Sequence, residues 1–385
     1  MLRRYNTSVI HCDTTTGVRP LKCYQLHKRR VKKAKIAGVQ IKSILELRQW
    51  AEQHELLDQF KDLIPFKTYA VPFAYDQWPT LECVILTSRT QVGWLQQLAC
   101  MEKFVAHIDG KYKLHHGLWM LITIGTHEIT FDVKTKQIRH SFRPLLYMFV
   151  KQQESADSVH LLLDSCSTVS IKYAGKPFKP TLGCADHGAG IMCGWGRGMP
   201  GVPLAGCYAH ISWKLTHGKL LSKSHPKHEH ICGDVFPNLR RCGTKECFHV
   251  MGEALYRVWG NADPALNSLW DATIYEGKAN WFYGYDQKTP CAPPTNQCQE
   301  NWHNIGVMQV LEDELLGSTE TVLEVTLPKI MGLDGALMPE KLNFEIKASW
   351  LQLGMYKKAK YNIDHRAVRA RRRTARVRAA CISVY

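Results

Sequence analysis

No apolar run in these 385 residues is long enough to cross a bilayer. The longest, such as Leu118–Ile124, stop far short of the roughly 20 residues a spanning helix needs. The basic start is not followed by the apolar stretch of a secretory signal, so neither secretion nor membrane spanning is expected. Internal repeats are missing, and low complexity is confined to an arginine-rich tail. Cysteine is too sparse for a disulfide framework: 14 residues stand beside 18 histidines, which better suits reduced thiols and metal ligands of an intracellular protein. What the chain does have is 45% hydrophobic against 22% charged residues. That is enough to bury the core of one large domain or of two to three ordinary ones.

Acidic residues are scarce in two places. Lys28–Lys35 carries six basic residues and no acid, and Lys357–Arg378 carries ten against Asp364 alone. These two segments account for +15 of the formal +16, so the body between them is close to neutral. A neutral body with a basic cluster at each end predicts attachment to a polyanion, weakened by salt as counterions compete. Lys28, Arg29, Arg30, Lys32 and Lys33, with Arg371, Arg372 and Arg373, are the candidate contacts. The same runs also have a blander reading as solubilising tails or import signals, and import, with a nuclear location, is compatible with DNA as the polyanion.

Hydrophobic spacing sets the expected order of elements. Residues 1–35 have little periodicity, and His11, Cys12, Cys23 and His27 match no compact zinc finger. From Ile36 to Leu63 apolar residues recur at three- and four-residue steps, which predicts one long helix or two, ended by Pro65. Arg89–Met101 reads as another helix. From Lys103 the period changes. Phe104–Asp109, Leu118–Gly125 and Glu128–Val133 read as strands, with a turn at Gly125–His127. Pro144–Gln153 is a further strand or the opening of a helix, Ser155–Ser165 a helix, and Pro180–Cys184 and Leu204–Cys207 two short strands. Ile211–Leu215, Cys247–Trp259, Pro264–Tyr275 and much of Ile305–Tyr361 read as helix. A meander followed by strands alternating with helices predicts a mixed α/β sheet.

Two acids stand at predicted strand ends. Asp109 closes FVAHID before Gly-Lys-Tyr, and Asp186 closes TLGCAD before His-Gly-Ala-Gly. A carboxylate just beyond a central strand faces the crevice where open α/β sheets bind ligands. Two such acids on neighbouring strands can share hard cations such as Mg²⁺, although Asp-Gly is also a common turn and Asp-His-Gly a helix cap. Cys207 and His210 lie three apart at a strand-to-helix junction, and the segment 293–303 opens a helix bearing Glu300. His228, His230, Cys232, Cys242, Cys247 and His249 offer more than enough ligands for a zinc ion, yet KSHPKHEH is also the composition of a solvated loop. Trp281, Phe282, Tyr283 and Trp302 read as core rather than as stacking platforms.

The ordered set HIDGKYK, LITIGTHEI, ADHGAGI, CYAHISWK and WFYGYD…PPTNQCQENWH resembles the transposases of Mutator-like elements over roughly residues 100–315. The resemblance implies an RNase H-like mixed sheet with an all-helical insertion and helical N- and C-terminal flanks. It also implies an Asp, Asp, Glu triad, matched here by Asp109, Asp186 and Glu300, and a Cys-x2-His signature matched by Cys207 and His210. Glu300 takes the third place through its Asn-x3-Glu-x2-His context. Two Mg²⁺ or Mn²⁺ ions on the triad, with double-stranded DNA as transposon ends and target, would then support strand cleavage and strand transfer; a homo-oligomer is compatible. The expected organisation is a basic terminus (1–35), a helical region (36–101), the first part of the core (102–218), the insertion (219–295), a helical C-terminal part (296–355) and a basic tail (356–385). The zinc-binding flanks common in the family are incomplete here, with Cys381 the one cysteine after Glu300. A truncated, inactive DNA-binding relative and a nuclease without strand transfer are therefore the alternatives.

Overall fold

Seven strands form one mixed sheet in the order β1-β2-β5-β4-β3-β6-β7 in the computed structural model of the chain. The structure describes residues 41, 43–64, 67–111, 119–132, 137–151, 154–260, 263–275, 279–285, 296–303, 318–331 and 342–343. Both basic segments, the expected contacts Lys28 to Lys33 and Arg371 to Arg373, and the His11–His27 set lie outside these residues. The strands are β1 (Thr68–Ala70), β2 (Cys83–Ser88), β3 (Val105–Lys111), β4 (Trp119–Asp132), β5 (Gln137–Lys151), β6 (Leu182–Ala185) and β7 (Leu204–Gly206). Strands β1 to β5 pair antiparallel, whereas β6 and β7 add in parallel beyond β3.

Side-chain alternation divides the core into two layers. Cys83, Ile85, Met120, Ile122, Met148 and Val150 enter one cluster; Val84, Leu86, Leu121, Tyr147 and Phe149, their neighbours along the same strands, enter the other. With apolar residues on both faces, the central strands read as continuous hydrophobic runs. The first layer is covered by α2 (Arg89–Ala99), α3 (Ala156–Ala174) and α4 (Ala189–Gly198). The second is covered by α1 (Ile44–Gln53) and the helical residues 319–331.

Local signals explain most helix ends. Ser43 and Glu46 exchange hydrogen bonds with each other's backbone N–H to start α1, and Ser155 and Ser158 do the same for α3. Gly175, at φ +70°, closes α3 in the left-handed conformation. Helix α4 has the sequence AGIMCGWGRG, a poor helix former by propensity. Its glycines at 190 and 194 let it lie against the start of α3. A Cβ there would come within 2.5 Å of the Glu154 carbonyl oxygen and 2.6 Å of the Ala156 carbonyl oxygen. Packing, not propensity, makes this segment helical.

Beyond β7 run α5 (Tyr208–Thr216), short helical turns over 228–240, α6 (Lys245–Leu255) and α7 (Pro264–Thr273). They share a separate core around Phe236, Phe248, Trp270 and Trp281, with Phe236 and Trp281 stacked 5.2 Å apart. No strand occurs among the described residues of 219–295. Trp281 and Phe282 are buried and Trp302 packs on Phe142 and Tyr147, as expected of core aromatics; Tyr283 is exposed.

Three expectations need correction. The region 36–101 is not all helical, because Tyr69 and the residues from Cys83 to Leu86 carry β1 and β2 onto the edge of the sheet. The single α-helix of 36–63 among described residues is Ile44–Gln53, followed by a 3₁₀ turn at Phe60–Asp62. Nor does the chain turn at Gly125–His127: β4 runs unbroken from Trp119 to Asp132. The register shifts at Ile124/Gly125, opposite Pro144, so that Leu145 is the extra residue of a bulge in β5. Proline has no N–H for the ladder, and a bulge is where a strand accommodates it. Gly125 has no room for a side chain, since a Cβ would lie 2.4 Å from the Arg143 carbonyl oxygen. No described helix is long and apolar enough to cross a membrane.

Candidate metal centre at the strand ends

Register brings the two aspartates level. In the parallel pair β3–β6, His107 is opposite Cys184, and Asp109 and Asp186 each lie two residues further on. Residues two apart along a strand share a face, and neighbouring strands are about 4.8 Å apart. Ala185 is opposite Gly206 in the next pair, so Cys207 stands beside Asp186. The Cys207 N–H donates to the Ala185 carbonyl at 2.7 Å. Asp109, Asp186 and Cys207 thus form a row across three adjacent parallel strands, just past their last parallel-paired residues, with β3 running two residues beyond Asp109. The backbone orients both acids: Gly110 N–H donates to Asp109 Oδ1 (2.9 Å) and Gly188 N–H to Asp186 Oδ1 (2.8 Å). Asp109 and Gly110 do not form a turn, since β3 runs on through them to Lys111, and the cap of α4 is Gly188 rather than Asp186. The two backbone bonds still aim the carboxylates.

Helix α8 (Gln297–Asn301) carries Glu300 and lies across this row. Asn296, just before it and fully buried, fastens it to the sheet. Its amide donates to the Ile108 carbonyl (3.2 Å), its Oδ1 faces His107 Nδ1 (3.0 Å), and its backbone N–H donates to the Cys207 sulfur (3.1 Å). Gln299 adds a bond to the Thr123 carbonyl at 2.8 Å. At one end Glu300 Oε1 is 3.5 Å from Cys207 Sγ and 3.3 Å from His210 Nδ1. At the other, His303 Nδ1 is 3.4 Å from Asp109 Oδ2. One short helix therefore links the first acid to the Cys-x2-His signature, and every fixed position of Asn-x3-Glu-x2-His makes a contact.

Beneath α8 lies a column of buried histidines. His107 Nε2 is 2.9 Å from His127 Nδ1, and His140 stacks obliquely on His127. Burial lowers His107 to about 4, and burial with the neighbouring histidines holds His127 well below its ordinary value, so both are neutral at pH 7. A neutral His107 then donates from Nδ1 to Asn296 Oδ1 and accepts at Nε2 from His127. His107 and His127 satisfy each other and Asn296, while the buried Nδ1 of His140 makes no hydrogen bond among the described residues. The stack reads as the floor of the site.

A fourth carboxylate, Glu154, sits over the aspartates. A Cβ added to Gly110 would meet Glu154 Oε2 at 2.8 Å, and one added to Gly188 would meet its Oε1 at 2.9 Å. The side chain therefore spans the space above Asp109 and Asp186. Burial chiefly, then the charges of Asp186 and Asp109, raise it to about 8. Sequence reasoning missed Glu154, which precedes the N-cap Ser155 and looks like an ordinary helix-start acid. His210 shifts the same way for a different reason. Its hydrogen bond to Cys207 leads, burial opposes, and the charges of Cys207, Glu300 and Asp109 add, giving about 9.

The second histidine and cysteine cluster does not assemble as a unit. Cys232 Sγ is 3.7 Å from His228 Nε2, and the sulfurs of Cys242 and Cys247 are 3.7 Å apart, but these are two separate pairs. His228 Nε2 also bonds the Leu215 carbonyl. Among the described residues, three such ligand atoms come together only at Cys207, His210 and Glu300. Compared with protein-family models and with curated proteins, the chain matches none.

Proposed function

We propose that this protein is a transposase of the Mutator-like kind, cutting and joining DNA strands by metal-dependent phosphoryl transfer on an RNase H-like sheet. The observation that carries the reading is the level pair Asp109 and Asp186 on adjacent parallel strands, with the Glu300 helix bolted across them. The mixed sheet and the helical block after β7 are consistent with the same family.

The donor set suits hard cations. Asp109, Asp186 and Glu300 offer carboxylate oxygens, the ligands Mg²⁺ and Mn²⁺ prefer, although the three do not all lie within 4.8 Å of one another here, so bound ions would have to draw them together. Glu154 is raised chiefly by burial, and Asp186 and Asp109 add to the shift; their share reflects neighbouring negative charge that a cation would relieve. When bound, two such ions supply an activated water or 3′-hydroxyl and neutralise charge on the reacting phosphate. The side chains do the positioning. Gly110 and Gly188 fix the carboxylates of the two aspartates, His303 braces Asp109, and Asn296 holds Glu300's helix at a constant height over the sheet. His210 keeps its proton at pH 7 and places a positive charge beside Glu300, where a phosphodiester would approach. The basic ends would supply most of the affinity for duplex DNA, and a nuclear location follows from that partner.

The test is incubation of the purified chain with Mg²⁺ or Mn²⁺ and DNA carrying element-like terminal repeats. Cleavage at the ends followed by joined products is expected. Cleavage without joining would make the protein a nuclease. Binding without cleavage would overturn the enzyme reading in favour of a DNA-binding relative.

A further inference from the structure

We infer that Cys207, His210 and Glu300 form a binding site for one soft divalent cation of the zinc class, separate from the hard-ion site but sharing Glu300 with it. The three ligand atoms lie within 4.8 Å of one another. Their spacing is more telling than their proximity. A tetrahedral zinc ion takes nitrogen and oxygen at about 2.0–2.2 Å and sulfur at about 2.3 Å, so its ligand atoms are about 3.4 Å apart for N and O and about 3.6 Å for S and O. The distances here are 3.3 Å from His210 Nδ1 to Glu300 Oε1 and 3.5 Å from Cys207 Sγ to the same oxygen.

The chemistry of each ligand agrees. His210 Nδ1 is buried and, among the described residues, makes no hydrogen bond of ordinary geometry despite its close carboxylate neighbour. An ion bound here would take the place of the proton that His210 otherwise holds beside Cys207 and Glu300. Cys207 is buried at the N-cap of the nine-residue helix α5, and its sulfur, which accepts the Asn296 N–H and faces Glu300 Oε1, is held in place for a metal that would displace its proton. His210 and Glu300 are each about 30% exposed and leave a way in for an ion and room for a fourth ligand from solvent. A thiolate and an imidazole beside a single carboxylate select zinc-class ions over Mg²⁺. Since Glu300 serves both sites, a soft ion here would withdraw it from the hard-ion site, a consequence that rests on the function proposed above.

The experiment is a Co²⁺ titration of the metal-free, reduced full chain, followed by optical absorption. The parent should show tetrahedral visible bands and a thiolate-to-cobalt charge-transfer band, both lost on adding Zn²⁺. Because other cysteines also bind cobalt, the reading is the difference between parent and Cys207→Ser: that difference should hold one cobalt ion and its charge-transfer band, with affinity at the site down at least tenfold. His210→Gln, at a partly exposed position, should weaken the same component to a similar extent and serves if Cys207→Ser fails to fold. Asp109→Asn should leave this component within about twofold, so failure of the hard-ion reading and failure of this one are told apart. A parent-minus-variant spectrum without a charge-transfer band, or equal losses from Asp109→Asn and Cys207→Ser, would overturn the proposal.

Discussion

Asn296→Ala should loosen the whole centre, and its cost follows from the partners left behind. The side chain is fully buried and satisfies the Ile108 carbonyl and the His107 Nδ1–H at once. Truncation strands both where water does not reach, and each buried polar group left unpaired costs about 1–3 kcal/mol. The expected loss is roughly 2–6 kcal/mol, a large part of the ~5–15 kcal/mol that stabilises a typical domain. Asn296→Asp is the sharper partner experiment. It keeps the shape and the acceptor for His107 but sets an oxygen against the Ile108 carbonyl in place of a donor. It should therefore cost at least as much as alanine, whereas on an exposed surface it would stay within about 0.5 kcal/mol. Urea unfolding of the parent and both variants at pH 7 gives the comparison. If both stay within about 0.5 kcal/mol of the parent, Asn296 does not clamp α8 and the account of how Glu300 is positioned fails.

Further outcomes follow from the same geometry. Folded Glu154 titrates near 8 against an ordinary 4.5, so between these values the folded chain holds the extra proton and stability falls as pH rises. At ~1.4 kcal/mol per unit the ceiling is on the order of 5 kcal/mol. Glu154→Gln should remove that slope in thermal melts from pH 5 to 8 in EDTA, and parallel curves for parent and variant would refute it. Gly194→Leu should destabilise by about 1–3 kcal/mol or more, because its Cβ would meet the Ala156 carbonyl at 2.6 Å. Gly196→Ala, on the same helix with nothing within 4 Å, should raise the melting temperature slightly; equal effects from the two would contradict the packing of α4 on α3. Deleting residues 357–378 should weaken binding to all duplexes alike and flatten the dependence of log affinity on log salt. An unchanged slope would mark the tail as an address signal or as inert.

The central strands were legible because burial on both faces leaves long apolar runs, and the acids because they end those runs. Asp186 and Cys207 could be placed at strand ends from sequence, whereas β3 runs past Asp109 to Lys111, and only the register β3–β6–β7 shows that the three stand level. Strands β1 and β2 were hidden by apolar residues at spacings that also suit a helix, and short runs of this kind do not decide the period. Helix α4 was hidden by its glycines, whose value lies in the approach of α3, a contact absent from local sequence. The bulge at Pro144 was read as an element boundary because proline commonly is one. Glu154 had no motif to announce it: its importance comes from the aspartates beneath it, 45 residues upstream and 32 downstream in the chain. Asn296 and His303 were visible as letters of a pattern, but what they hold was not.

The most direct test of the central claim is strand cleavage by Asp109→Asn. The change keeps size and hydrogen bonding and removes the charge that would hold a hard cation. With Mg²⁺ or Mn²⁺ and suitable DNA ends, cleavage should be abolished while DNA binding stays within a few-fold of the parent, since phosphate affinity comes mainly from Lys and Arg. Asp186→Asn and Glu300→Gln should behave alike, and double variants should lose no more than single ones, because groups that act as a unit do not contribute additively. A parent that cuts, with an Asp109→Asn variant that cuts equally well, would contradict the account.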